Sequence, residues 1–381
     1  MKSGDPSGGA DALRRAHGLT RLINAAGSFT PAGVSRSPPA VREAVAAALS
    51  DMFVIEEMQQ RAGAAVAAWA GAEAAAITHC ASSGITLAIA AAIAGDDPAR
   101  VAAMPDTSGL ATRVVLPAGH AVDYGHPIVQ DIRLAGGTPV LAGSESGCTS
   151  RDLETELNAP DAACLLLVSS RLVRGAPLDL SAAVATAHGA GLPAIVDGAA
   201  QDMRIPELLA TGADLLLVSA QKYLASPTAG LVIGRARWVE AVRAHEAGIG
   251  RAMKPSKEAL AGVLAAVAER RSLDMERWRA DQAAKAARLV DAVAGLTGIR
   301  AEAVPDPAGM PFPRVQLTVE PAAAGMDASA LAAALRQGDP AIWVMQHKLA
   351  EGRILMELVQ LTSAEIDEIA RRLADLVPRP S

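Results

Sequence analysis

The sequence predicts an α/β fold, with a mainly parallel sheet covered by helices on both faces and a smaller α+β unit after it. Three observations lead there. Short apolar runs alternate with Ala-rich helical stretches from residue 75 to about residue 235. These runs are continuously apolar rather than alternating in polarity, as strands buried on both faces require. Past Arg235 the alternation gives way to longer charged helices and a few further strands. A chain of 381 residues that is 51% apolar can fill one large core and a smaller companion.

Taken in order, residues 1 to about 20 are polar and Gly-rich and read as a loose arm. Residues 21–39, with Asn24-Ala-Ala-Gly27 and Thr30-Pro-Ala-Gly33, read as an ordered loop. Helical patterns follow from Pro39 to about Leu49 and from Glu56 to Ala70. Seven strand candidates come next: Ala75 to Thr78, Val114 to Pro117, Pro139 to Ala142, Cys164 to Ser169, Ala194 to Asp197, Leu215 to Ser219 and Leu231 to Ile233. Charged helices then run to about Leu296 with a break near Gly248 to Ser256. The last part offers strands at Arg314 to Val319, Ile342 to Met345 and Ile354 to Leu358. Its final helix opens with the capping box Thr362-x-x-Glu365 and places Ile366, Ile369, Leu373 and Leu376 on one face. The expected domains are 1–55, an N-terminal arm and a segment packing with the small domain; 56–245, the large α/β domain; and 246–381, the C-terminal α+β domain.

Composition narrows the function classes. A formal charge of −6 and an aromatic content of 2% argue against nucleic-acid partners, which need Lys and Arg for phosphates and rings for stacking. Cys80, Cys148 and Cys164 are odd in number and unclustered, so buried reduced thiols are expected rather than disulfides or zinc. No stretch of eighteen uninterrupted apolar residues suggests a membrane span, and the start of the chain lacks the apolar core of an export signal. A cytoplasmic protein with no membrane partner is the expectation.

The carboxyl ends of parallel strands are where ligands bind in such sheets, and the chemistry-bearing residues collect there. Asp197 ends Leu192-Pro-Ala-Ile-Val-Asp197, and Lys222 follows Asp214-Leu-Leu-Leu-Val-Ser219-Ala-Gln, twenty-five residues later. A lysine amine becomes a useful nucleophile when its environment lowers its pKa, and an aldehyde cofactor captures it as a Schiff base. A carboxylate facing a pyridine nitrogen keeps that ring protonated and makes it an electron sink. The pair therefore points to pyridoxal 5'-phosphate. Ser219 offers a hydroxyl to the cofactor phosphate. Ser83, Gly84 and Ile85, at the turn from strand into an Ala-rich helix, offer the free N–H groups and dipole of a helix N-terminus. His120, just past Val114-Val-Leu-Pro, is placed to stack on the pyridine ring, a task open also to Tyr124 or His126. The histidines lack the spacing of zinc ligands, so no metal is expected. Ser219-x-x-Lys222 also matches a serine-acylase motif, but the chain has neither Lys-Thr-Gly nor Ser-Asp-Asn to complete it. Gly248-x-Gly250 follows a helical segment rather than a first strand, which weighs against nicotinamide binding.

From about Leu22 onward the chain resembles the selenocysteine synthase-like group of fold-type-I pyridoxal-phosphate enzymes, which includes selenium transferases and D-glucosaminate-6-phosphate ammonia-lyases. The resemblance rests on Arg21-Leu-Ile-Asn-Ala-Ala-Gly27, Met104-Pro-Asp-Thr-Ser-Gly-Leu110, Gly119-His120, Ile132-Arg-Leu-Ala-Gly-Gly137, Ile195-Val-Asp-Gly-Ala-Ala-Gln201, Ser219-Ala-Gln-Lys222, Ala229-Gly-Leu-Val-Ile-Gly-Arg235 and Gly250-Arg-Ala-Met-Lys-Pro-Ser-Lys-Glu258. It implies Lys222 as the Schiff-base lysine, Asp197 as the pyridinium partner, His120 as the ring stacker and Ser219 as a phosphate ligand. It also implies a homodimer or higher homo-oligomer. Asn24, Arg251, Lys254 and Arg353 are then candidate contacts for the substrate. One departure stands out. Where similar proteins end the last small-domain strand in Asp-Pro-Arg or Asp-Leu-Arg, this chain reads Glu357-Leu-Val359, and valine cannot clamp a carboxylate as a guanidinium does.

These residues imply a pyridoxal-phosphate lyase that removes ammonia or water from an amino acid or amino-sugar acid by α,β-elimination. Racemisation, aldol cleavage and other group transfers share its opening steps. A selenium transferase would carry a basic RNA-binding face, which the acidic balance opposes. A scaffold with lost catalysis would have no need for both Lys222 and Asp197.

Overall fold

The computed structural model describes residues 6–377. The chain divides into two compact units, Ser35–Leu273 and a second one built from the residues up to Val34 and from Asp274 onward. The division therefore falls at 34/35 and 273/274 rather than at 55/56 and 245/246. The reason is packing: the helix Pro39–Leu49 lies against the helix Lys257–Ser272, and the helix Ile55–Ala70 does the same, so both flanks of the expected large domain belong to it.

The larger unit holds a seven-stranded sheet in the order Ala74–Thr78, Gly230–Gly234, Leu215–Ser219, Ala194–Asp197, Ala162–Val168, Arg113–Pro117, Thr138–Ala142. Six strands run parallel and Gly230–Gly234 runs against both of its neighbours. Successive residues point to opposite faces, and both faces are covered. Ile77, Val115, Leu165, Leu167, Val196, Leu216 and Val218 face one core together with the helices Pro39–Leu49, Ile55–Ala70, Ser150–Leu157, Leu180–Gly189 and Lys257–Ser272. Val114, Leu116, Leu166, Ile195, Leu215, Leu217 and Val232 face the other, under the helices Ala81–Ala94, Val129–Leu134 and Ala236–Ala244. Each large aliphatic side chain withdrawn from water here contributes about 1.5–3 kcal/mol. Ala81–Ala94 is apolar nearly all round and is buried along almost its whole length, which accounts for its small residues.

The smaller unit pairs Leu22–Ala25 in parallel with Ala341–Val344, and builds an antiparallel sheet in the order Arg353–Met356, Pro313–Val319, Ile299–Pro305. Its core gathers Ile23, Leu289, Val315, Leu317, Leu331, Ile342, Ile354, Ile366 and Leu373. The helix Ser363–Leu376 opens with a complete capping box between Thr362 and Glu365. The start of the chain differs from the expected loose arm: Pro6–His17 is a helix. Arg14, Arg15 and His17 in its last turn suit the dipole, Arg14 pairs with Asp11 at 2.7 Å, and Gly18 follows at φ +63°. No helix among the described residues is long and apolar enough to cross a membrane. Of the three free cysteines only Cys164 is buried; Cys80 and Cys148 are partly exposed.

Candidate active site in the larger unit

Parallel strands align the residues that follow them at one edge of the sheet. Val168 pairs with Asp197, and Ser219 and Thr78 both pair with Gly230, so the segments after Thr78, Val168, Asp197 and Ser219 share that edge. The 118–120 turn after Arg113–Pro117 joins them, and its Gly119 must lack a side chain because a Cβ would lie 2.2 Å from Arg174 O.

Asp197 is 4% exposed, and its Oδ1 accepts the Ala199 N–H at 3.0 Å. Burial pushes its carboxyl up to about 6; the Lys222 charge and the Ala199 N–H pull it down, and Asp131 adds a further upward push. An anion held so far from water calls for a cation beside it. Lys222 acts on it electrostatically from a tight turn in which Lys222 N–H donates to Ser219 O and Lys222 O accepts from Ala225 N–H. Ala225 sits at φ +58°, a left-handed conformation that costs an L-residue about 1–2 kcal/mol.

His120 is 4% exposed, and its Nδ1 accepts the Val168 N–H at 2.9 Å. That bond leaves the proton on Nε2. Burial lowers the imidazole to about 4, so the ring is neutral at physiological pH and able to lie against a cationic heterocycle without repelling it. Tyr124 and His126, the other candidates for stacking, turn to a different partner. The Tyr124 hydroxyl donates to Asp131, and His126 Nε2 lies 3.1 Å from Asp131 Oδ1. Asp131 is fully buried and also accepts the Ser82 hydroxyl at 2.6 Å. No motif marks Asp131, Ser82 or their link in the sequence.

The helix proposed from the sequence to hold an anion at Ser83, Gly84 and Ile85 starts two residues before Ser83. The helix begins at Ala81 with Cys80 as its cap and no side chain capping the first turn, so the open N–H groups belong to residues 80–83. Gly84 already donates to Cys80 O at 3.1 Å, and Ile85 is a core residue at 1% exposure. Gly84 is required for packing instead: a Cβ there would approach Leu217 Cδ1 to 2.9 Å. Ser83 remains in the first turn, its hydroxyl 3.3 Å from Cys80 Sγ, and Ser219, 1% exposed, ends the strand beside it. Arg251 and Lys254 are exposed on the segment that accepts the His79 N–H at Met253 O (2.9 Å), next to this turn.

Two expected substrate contacts, Asn24 and Arg353, lie in the smaller unit. Asn24 closes its own turn from both ends, donating to Gly27 O at 2.8 Å and accepting the Ala26 N–H at 3.0 Å. Arg353 starts its strand and pairs with Glu351 at 2.6 Å, while Val359 lies beyond the other end of that strand. Lys285 Nζ does reach that place, donating to Val359 O at 2.9 Å. Among the described residues no three His, Cys, Asp or Glu side chains cluster as metal ligands would.

The larger unit thus fits pyridoxal phosphate on its own terms: a buried carboxylate in need of a cation, a lysine acting on it, a flat neutral ring and an uncapped helix start. The comparisons agree. The family model described as SelA, L-seryl-tRNA selenium transferase, matches residues 186–304. Over 364 residues the chain is 36% identical to D-glucosaminate-6-phosphate ammonia lyase of Salmonella typhimurium, covering 94% of this chain and 96% of that one. It is 34% identical over 365 residues to 5'-C-glycyluridine monooxygenase-decarboxylase of a Streptomyces species, covering 94% and 90%. An L-seryl-tRNA(Sec) selenium transferase of Solidesulfovibrio magneticus is 28% identical over 50% of this chain and 43% of its own length. A solved structure of D-glucosaminate-6-phosphate ammonia-lyase matches with a TM-score of 0.84 and 34% identity, covering 96% and 97% of the two chains. A serine palmitoyltransferase with bound pyridoxal phosphate, 14% identical and with a TM-score of 0.58 over 94% of this chain and 88% of its own, shares the fold. The architecture is that of fold-type-I enzymes, and the chain belongs to the SelA-like, or selenocysteine synthase-like, family of pyridoxal-phosphate-dependent enzymes.

Proposed function

We propose that this enzyme is a lyase that performs α,β-elimination, releasing ammonia or water from an amino acid or amino-sugar acid. The observation that carries the reading is the buried Asp197 with Lys222 acting on it, in a chain that matches an ammonia lyase over nearly the full length of both. Bound pyridoxal phosphate supplies an aldehyde for an amine and a ring that withdraws electrons from the carbon beside it. The protein's part is to hold and to move protons. Asp197 would hold the ring nitrogen by its negative charge, and His120, a neutral imidazole, would lie against the ring. The N–H groups of residues 80–83 and the Ser219 hydroxyl take the phosphate. Lys222 Nζ is the base that removes the substrate Cα proton. Arg251 and Lys254 are the exposed cations beside the cradle that suit an anionic substrate group.

The reading further takes the enzyme as a cytoplasmic homodimer or higher homo-oligomer with neither nucleic-acid nor membrane partner. Supporting self-association, Leu49, Met52, Phe53, Val54 and Ile55 form an exposed apolar stretch, with Met52 93% exposed. Sedimentation of the purified protein tests this; a monomer at micromolar concentration would refute it. For the reaction, the holoenzyme is offered amino acids, hydroxy amino acids and phosphorylated amino-sugar acids while ammonia and 2-oxo acid release are followed. Release that disappears in Lys222→Ala supports elimination. Substrate-dependent oxygen uptake with loss of carbon dioxide would instead move the chain to the chemistry named for its monooxygenase-decarboxylase relative.

A further inference from the structure

We infer that Arg270 is a positioning residue that bridges the segments carrying Asp197 and Lys222 and sets the spacing at which one pyridine ring meets both. The inference rests on the cofactor reading above. Arg270 stands in the last turn of the helix Lys257–Ser272, an element that carries none of the site residues. Its Nη1 lies 2.8 Å from Asp202 Oδ2, and its Nη2 donates to Tyr223 O at 2.7 Å. Asp202 comes five residues after Asp197, and Tyr223 directly follows Lys222. One planar guanidinium therefore ties together the two loops that leave adjacent strands.

The sheet itself stops short of this point. Gly198 N–H donates to Leu217 O and Ser219 N–H to Ala199 O, at 2.9 and 3.0 Å, and these bonds hold the two chains up to the strand ends. Beyond them the Lys222 turn is closed on itself by Lys222 N–H to Ser219 O and Ser226 N–H to Ala220 O, and is pinned by the Ser35 hydroxyl on Gln221 O at 2.6 Å. Farther along the 198–204 loop, past Ala199, the Arg270 guanidinium joins Asp202 to the residue that follows Lys222. The pair is deeply buried, its side chains 9% and 1% exposed. Burial raises the Asp202 carboxyl, and Arg270 draws it back toward its charged form. A well-packed apolar pair in such a place is commonly as stabilising as an ion pair, so stability alone gives little reason for the charges. What a guanidinium adds is reach: one rigid plane that carries charge against Asp202 and a hydrogen bond to Tyr223 O at once, which lysine's single ammonium does not reproduce.

The test uses full-length wild type, Arg270→Met, Arg270→Lys and Asp202→Asn. Each is titrated with pyridoxal phosphate, following the absorbance near the visible edge that Lys222→Ala lacks, together with the visible circular dichroism per bound cofactor. That dichroism reports how the ring sits in its pocket, which a purely structural role would leave alone. Melting of the cofactor-free proteins is recorded in parallel. Arg270→Met is expected to weaken cofactor binding on the order of 100-fold, the scale of a misplacement by about 1 Å, and to change the dichroism. Arg270→Lys should recover part of the loss, and Asp202→Asn, which keeps the bond to Tyr223, should fall between. If Arg270→Met does not fold, the other two variants decide by the same criteria. Folded variants with wild-type affinity and dichroism overturn the role of Arg270 alone. A wild type that forms no such band overturns the cofactor reading and this inference with it.

Discussion

Replacing Asp197 by Asn should stabilise the cofactor-free protein, and should do so more strongly as the pH rises. Asp197 titrates near 3.8 when exposed and near 6 in the fold, chiefly because burial disfavours its charged form. The sign follows from proton counting. Below pH 3.8 the group is neutral in both folded and unfolded chains and costs nothing. Between 3.8 and 6 the unfolded chain loses its proton while the folded chain keeps it, so stability falls as pH rises. Above 6 both are ionised and the cost has reached its full size. A difference of about two pH units corresponds to about 3 kcal/mol, or a factor of about 150 in the folding equilibrium. Asparagine keeps the shape without the charge and carries no such pH-dependent cost. The difference in unfolding free energy between Asp197→Asn and wild type should therefore grow by about 2 kcal/mol from pH 4.5, where about 1 kcal/mol of the cost is already present, to pH 8. Urea unfolding of both proteins without cofactor measures it, read from Trp69 and Trp238, which lie in the same unit as Asp197. Taking the difference at each pH cancels every group that the two proteins share. A difference that stays flat, or shrinks as pH rises, refutes the argument that Asp197 is held charged against its surroundings.

Other substitutions probe the same physics elsewhere. Lys222→Ala removes the cation that lowers Asp197, so the pH at which the cofactor-free protein loses this stability should move higher, and the absorbance band with pyridoxal phosphate should vanish; a pH-dependent unfolding series and a spectrum check both. Ala225→Gly frees a left-handed residue beside Lys222 and should raise the unfolding free energy by about 0.5–1 kcal/mol, the left-handed cost less the added flexibility of glycine. Thr362→Ala breaks the capping box of the last helix and should cost about 1 kcal/mol in urea unfolding. Arg353→Ala removes only a partly exposed pair with Glu351 and should leave turnover and cofactor affinity at wild-type values in steady-state kinetics and titration.

The large sheet was legible because its strands are continuous apolar runs: each of the seven lies within about two residues of its expected span, since a strand buried on both faces leaves a signal in composition alone. Leu22–Ala25 carries no such signal. It is four residues long, and its place is set by pairing with Ala341–Val344, more than three hundred residues away, while the glycines and prolines after it suggested a loop. Ile299–Pro305 was missed for another reason: it is half exposed, and its alternation Ile299-Arg-Ala-Glu-Ala303 is carried by alanines, which give a weak strand signal. At the proposed site, Lys222 and Asp197 stood out in the sequence because a lysine just past one apolar strand and an aspartate ending another suggest a specific chemistry. Asp131 and Arg270 did not. Each sits on a helix that looks ordinary in sequence, and each has partners far along the chain: Ser82, 49 residues from Asp131, and Tyr223, 47 residues from Arg270. The helix start at Ala81 rather than Ser83 also escaped, because Cys80 is not a usual cap residue.

The electrostatics of the pocket make cofactor binding and folding two sides of one equilibrium. Without a ligand, Asp197 carries a net cost of about 3 kcal/mol at neutral pH, what remains of its desolvation after the Lys222 charge has offset part of it. On the proposed reading, a protonated ring nitrogen against Asp197 would supply the missing positive charge, strengthened by the burial of the carboxylate. Binding to the folded state at a concentration 100 times the dissociation constant adds about 2.7 kcal/mol of stability, nearly the size of the cost that the empty site carries. The strain at Ala225 belongs to the same account, since a lysine held in a conformation its neighbour resists is kept ready rather than relaxed into solvent. A site built only for stability would carry asparagine at 197 and glycine at 225. That the chain keeps aspartate and alanine is what a binding site for a cationic ring, rather than a structural core, requires.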